Sequence, residues 1–537
     1  MMNPPMAEDI AVLEQYLTSR TPEGRSAAKL YSTISNTPGN AIVYLTVPKR
    51  RKELRTAVDP GRTQREIIEQ VLSPFTAEVR KLYFDHLHPC FPILDEKTFS
   101  DLWHKNNARI SSALICDLYA SAIIFWKKSE MLRNHAPPDS QFIWNQAVSA
   151  LQDDFPEPTI STVHAALLDM VGRPVLQVAG NIVNAGRVVT LAHSLGLHRD
   201  PTLWRATDHE KNVRIRLWWG VLIHDHWSSI GHGIPSTINR RCYDVPIPSL
   251  ESLLTSNASK EIQQATSSFL HLCKLSQILG DILPLVYSLQ LDVDEIWRNL
   301  RKIECALDDW VEELPPYLRL RQGVSSGVDG SSNLWFSYLS MKVLLCRLAF
   351  KAALKDTKQS SSESRQYRLA MLRESASEVT GFVTFLMDTQ LQEFWMPYTS
   401  YLLVSAATVL LRCTVECGDL ATKKSCVTKL VYFRDRLRRA QVEVEWDLAD
   451  FCLERCHDPI QKIADALRIP SPNPQSHNAP NPKDDGLNTH DSFASEGLDL
   501  AADVPSAIPN VFLPTDSLDF PWETLWDSLN GPWPIQI

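Results

Sequence analysis

Two neighbouring stretches decide the fold of this 537-residue chain: Gly186–Trp204, GRVVTLAHSLGLHRDPTLW, and Glu210–Ile230, EKNVRIRLWWGVLIHDHWSSI. Residues 179–195 have the three- and four-residue apolar spacing of a helix, and Gly196 supplies a stop. The second stretch is a proline-free run with Leu217, Trp218, Trp219, Val221, Leu222 and Trp227. Such tryptophans bring large buried area and fit a core helix.

Working outward, the same period recurs almost everywhere. Upstream, Ile67, Ile68, Val71 and Leu72, then Val79, Leu82 and Tyr83, are helical. His88-Pro89 and Phe91-Pro92 break that pattern, because each proline disfavours helix in the residue before it. Asp95 is placed to cap the next helix, through Phe99, Leu102 and Trp103. Further helices are predicted over 112–126, 141–151, 161–170, 259–289, 293–313, 333–355, 365–388, 395–416, 420–441 and 446–467. Strand alternation bounded by hairpin turns is nearly absent, and no fixed-period repeat stands out. The predicted class is all-α, a large irregular multi-helix domain over 67–469. Residues 1–66 read as a short helix plus an irregular basic linker. Residues 470–537 read as an acidic, disordered tail: from 471 onward ten acidic residues face one basic residue, Lys483.

The apolar fraction of 44% supplies a sizeable core. The net charge of −9 gives no global electrostatic case for nucleic-acid binding. Eleven cysteines, an odd number at irregular spacing, read as free thiols in a reducing compartment. Cys413/Cys417 and Cys452/Cys456 are each one helical turn apart among apolar residues, so no metal site is expected there. The apolar uncharged run Trp395–Leu411 is shorter than the roughly 20 residues of a membrane span. No membrane association is expected.

The quoted residues, in this order and spacing, resemble the regulatory (middle homology) domain of fungal zinc-cluster transcription factors of the xylanolytic, cutinase and acetamidase activator type. The likeness rests on His88, Pro89, Phe91 and Pro92, then Leu195, Gly196, Leu197, His198 and Arg199. It continues through Arg216, Trp218, Trp219, Asp225, Gly233, Pro235, Asp244 and Val245. It departs at Gly233-Ile234-Pro235, where Gly-Arg-Pro is usual, and at Arg240, Arg241 and Cys242. The resemblance implies an all-helical domain that restrains or relays activation, and most of these residues are expected to be structural. From their chemistry, Arg214 and Arg216 with Asp225 and Asp244 are candidates for partly buried ion pairs that fix loop geometry, although sequence does not say which pairs with which. A zinc cluster needs six cysteines in C-x2-C-x6-C repeats, and the first cysteine here is Cys90. The expectation is therefore a regulator whose zinc cluster is lacking or was truncated, with no cofactor otherwise.

That resemblance implies a nuclear regulator of a metabolic or secondary-metabolite gene set. Its partners would be other transcription factors or coactivators and a small-molecule effector, with DNA contacted indirectly or weakly. Lys49, Arg50, Arg51 and Lys52 form the candidate import signal. In the tail, Leu518, Phe520, Trp522, Leu525, Trp526 and Leu529 make a candidate activation segment over 516–530, interleaved with Asp516, Asp519, Glu523 and Asp527.

A different class is a helical metal-dependent hydrolase using His86, His88, His224, Asp225, His226 and His232. Against it, histidines two apart on a helix point to different sides. No G-x-S-x-G, Walker or dinucleotide pattern occurs either, so the reading is not an enzyme.

Overall fold

The structure, a computed structural model, describes Met1 and residues 6–10, 12, 31–35, 42–45, 59–172, 178–290, 292–320, 323–356 and 362–469. The candidate import signal and the tail lie outside the described residues.

After a helical stretch at residues 6–10 come α1 (Arg62–Leu72), α2 (Thr76–Leu82), α3 (Glu96–Asn106), α4 (Ser112–Ala122), α5 (Ser140–Asp154) and α6 (Ile160–Val171). Then come α7 (Val178–Ser194), α8 (Asp208–His232), the short α9 (Leu250–Leu253), α10 (Lys260–Tyr287) and α11 (Val293–Glu313). The order ends with α12 (Ser331–Lys355), α13 (Ser362–Thr384), the short α14 (Asp388–Leu391), α15 (Thr399–Glu416), α16 (Leu420–Val444) and α17 (Asp450–Ala466). The all-α class holds, and the helical domain starts a few residues ahead of 67.

Local signals explain many of the ends. The Asp95 carboxylate accepts from the Thr98 amide at 2.8 Å, opening α3 as expected. The Thr207 hydroxyl accepts from the Glu210 amide at 3.2 Å and opens α8. Helix α11 buries Ile296, Leu300, Ile303, Leu307 and Trp310, a single stripe at three- and four-residue spacing. That stripe packs against α10 and α12.

One apolar core runs through the domain. Helices α1 and α4–α8 pack in sequence on one side, and α10–α13 with α15–α17 on the other. Helix α8 contacts both groups, α7 and α6 on one side and α10 and α15 on the other. At the α8–α10 crossing, a β-carbon on Gly280 would stand 2.6 Å from the His226 ring, so only glycine permits that approach. Helix α10 has the length and hydropathy of a membrane span, yet 61% of its 18-residue apolar stretch is buried in the fold.

Three elements differ from expectation. Within the stretch read as irregular, β1 (Tyr31–Ser35) and β2 (Ile42–Leu45) pair antiparallel. Ile42 and Val43 are buried in the domain, so tertiary contacts supply what local alternation does not. The predicted helix 112–126 tightens to a 3-10 turn over Ile123–Lys128. The predicted helix from 395 starts only at Thr399, because Pro397 removes an amide and disfavours helix at Met396.

Candidate functional site

The signature residues converge on α8. The segment following α2 makes a π-helical turn, Tyr83–Leu87, which delivers His88 into the core. His88 Nε2 donates to the Leu94 carbonyl at 3.0 Å. Burial drives its pKa down to about 4, so the ring is neutral. Pro89, Phe91 and Pro92 are buried. Phe91 meets Phe269 edge-on at 5.6 Å and His224 at 5.4 Å, tying this segment to α10 and α8.

Arg216, on α8, donates to the same Leu94 carbonyl at 2.6 Å and also to the Ser252 carbonyl. Asp95 lies 3.8 Å from it. The candidate pairing of Arg214 and Arg216 with Asp225 and Asp244 is wrong. Arg214 pairs with Glu210 one turn earlier, at 3.1 Å. Nine residues of helix, about 13 Å, separate Arg216 from Asp225. Asp225 instead accepts from the Thr237 and Ile238 amides, both at 3.0 Å, and from the Ser236 hydroxyl. It thereby folds the loop after Gly233 and Pro235 back on α8.

Asp244 accepts from the Asp200 amide at 2.6 Å and pairs with Arg199 at 3.2 Å. Its own amide donates to the His198 carbonyl at 3.2 Å, and Val245 is buried beside it. Trp219 donates to the Pro246 carbonyl at 2.7 Å, while Trp218 packs 5.3 Å from Tyr243. Gly196, at φ +69°, ends α7. Its neighbours Leu195 and Leu197 complete the turn, with the Leu197 amide reaching the Ala192 carbonyl at 2.9 Å. The Tyr44 hydroxyl of β2 donates to the Leu195 carbonyl at 2.9 Å, and a β-carbon on Gly196 would sit 1.9 Å from that oxygen. The signature is thus a scaffold that gathers separate segments onto one helix.

The histidines of the hydrolase reading do not form a metal centre. His224 contacts the Tyr398 hydroxyl at 2.8 Å, His226 the Ser276 carbonyl at 2.9 Å and His232 the Ser228 hydroxyl at 2.9 Å. Burial lowers the pKa of His224 to about 3 and of His232 to about 4. His86 lies 3.7 Å from Asp329. Among the described residues no group of three His, Cys, Asp or Glu is arranged to hold a metal ion. Cys413, Cys452 and Cys456 are buried free thiols, and His457 faces Arg438 at 3.0 Å.

Two features escaped the sequence reading. One is a set of buried carboxylates. Asp117 is fully buried with neither oxygen partnered, and burial, then the neighbouring Asp169 and Asp154, push its pKa well up. Burial raises Asp169 to about 6 and Glu393 to about 8. The other is an open cleft of about 340 Å³ between α13 and α16. Arg373, Glu374 and Ser377 line it from one helix, and Thr422, Ser425 and Lys429 from the other. Some fifty residues separate the two walls, so no local motif betrays it.

Residues 81–312 match the profile of the fungal specific transcription factor domain. An uncharacterized transcriptional regulatory protein of Schizosaccharomyces pombe is 26% identical over 422 residues, 77% of this chain and 61% of that protein. The transcriptional activator protein DAL81 of Saccharomyces cerevisiae is 20% identical over 376 residues, 62% of this chain and 38% of that protein. The acetamidase regulatory protein of Aspergillus fumigatus is 22% identical over 319 residues, 55% of this chain and 38% of that protein. The chain therefore spans less than two thirds of the length of these relatives. No solved structure matches it.

Proposed function

We propose that this chain, which carries a fungal specific transcription factor domain over residues 81–312, is a nuclear transcription regulator of a metabolic or secondary-metabolite gene set. The domain match carries the reading, and the likeness to proteins named as transcriptional regulators and activators supports it. The protein acts through protein contacts rather than catalysis. A DNA-bound partner brings it to its genes. Lys49–Lys52 serve nuclear import, and the 516–530 segment engages a coactivator groove.

The test tethers the full chain to a heterologous DNA-binding domain and measures a reporter. A several-fold change in expression, in either direction, is the expected result. An unchanged reporter with the fusion present in the nucleus rejects the reading. Sequence-specific binding of duplex DNA by the purified chain alone would reject the partner-dependent route.

A further inference from the structure

We propose that the cleft between α13 and α16 binds an acidic α-amino acid, a small molecule with two carboxylates and one ammonium. Its charges match that pattern one for one. Among the described residues Arg373, Glu374 and Lys429 have no ion-pair partner, although all three line the same cleft. Two cations and one carboxylate leave the site at net +1, and the ligand carries net −1. Arg373 presents a planar fork suited to one carboxylate, and Lys429 supplies a point charge for the second. Glu374 takes the ammonium, and would repel a simple inorganic anion.

Two further observations point to a ligand. The rest of the lining is mostly hydroxyl-bearing, with Ser377, Thr422 and Ser425. The cleft volume, about 340 Å³, lies at the small end of the ~300–1,000 Å³ range of ligand sites. The start of α16 is not itself the anion trap. Asp419 already accepts from the Ala421 and Thr422 amides, at 3.3 and 2.8 Å, so the side chains must do the recognising. Bound there, the ligand would bridge α13 and α16 and serve as the regulator's effector. That consequence rests on the function proposed above, whereas the binding itself does not.

Calorimetric titration of the purified full-length chain tests the site. L-glutamate and L-aspartate are the probes, with glutarate, L-glutamine and inorganic phosphate as comparisons. One molecule of glutamate or aspartate should bind per chain. Glutarate, which lacks the ammonium, and glutamine, which lacks a carboxylate, should each bind about tenfold or more weaker, a loss of about 1.4 kcal/mol. R373Q and K429Q should each weaken glutamate by a similar factor, with thermal unfolding unchanged because both side chains lie on the surface of the cleft. E374Q should erase the preference for glutamate over glutarate. No heat with either amino acid up to about 10 mM overturns the proposal. So does phosphate binding as tightly as glutamate, or binding that R373Q and K429Q leave intact. The titration is read whether or not the tethered chain moves a reporter, so failure of the regulator reading is seen separately.

Discussion

His88 and Arg216 donate to one and the same oxygen, the Leu94 carbonyl, at 3.0 and 2.6 Å. A carbonyl has two lone pairs, and here both are used inside the core. This single atom joins the His88–Pro92 segment to α8. R216M removes the donor to Leu94 and Ser252 without changing the bulk greatly. It should destabilise the domain by about 1–3 kcal/mol, chiefly through the Ser252 carbonyl, because Leu94 keeps its bond from His88. Urea unfolding measures the shift, and a cycle with H88F should show non-additivity because the two share an acceptor.

Stability should peak near neutral pH and fall on both sides. Burial depresses His88, His164 and His271 to about 4 and His224 to about 3, far below the unfolded value near 6.5. Between those values the unfolded chain binds more protons than the folded one. Their contribution is therefore complete above pH ~6.5 and is lost as pH falls toward 4. Asp169 and Glu393 act in the opposite sense. Their folded values, raised to about 6 and about 8, mean stability present at low pH is lost as pH rises through them. Urea midpoints from pH 4.5 to 9 should trace an asymmetric bell, and E393Q should flatten its alkaline side. A midpoint that rises steadily to pH 9 would contradict this.

Replacing Gly196 with alanine should loosen the N-terminal hairpin. The new methyl meets a left-handed backbone, worth about 1–2 kcal/mol, and collides with the Tyr44 hydroxyl. Limited proteolysis ahead of Arg62 should accelerate. Y44F should cost only about 1 kcal/mol, one hydrogen bond, and leave the cleavage pattern nearly unchanged.

Changing Lys49, Arg50, Arg51 and Lys52 together to alanine should move a fluorescent fusion of the full chain toward the cytoplasm. An unchanged nuclear signal would assign entry to a partner.

Residues 471–537 fused to a heterologous DNA-binding domain should activate a reporter. Alanine at Leu518, Trp522, Leu525, Trp526 and Leu529 should abolish that activity, because apolar contacts drive entry of an amphipathic segment into a groove. Changing Asp484 and Asp485 should matter little. Equal loss from both sets would point to bulk charge.

The helices were legible because their signal is periodic and local. Val293–Glu313 agrees with the predicted range at both ends, since its buried stripe and Asp292 cap lie in one short window. Gly196 and Asp95 were readable for the same reason. What the sequence concealed depends on distant partners. Arg216 takes Leu94 and Ser252, which no spacing rule connects to it. Ile42 and Val43 pair in a strand because the domain buries them. Arg373 and Lys429 share a cleft only after α13 and α16 lie side by side.

The position of α8 against both helix groups bears on how the domain comes apart. Helices α6 and α7 pack on one side of it, while the Gly280 notch and the Trp227–Ser276 contact at 2.8 Å hold the other group. Neither group can shed its shared wall and keep its own interior dry. Opening of either half exposes that shared wall, so a weakness introduced in one should also be felt by the other.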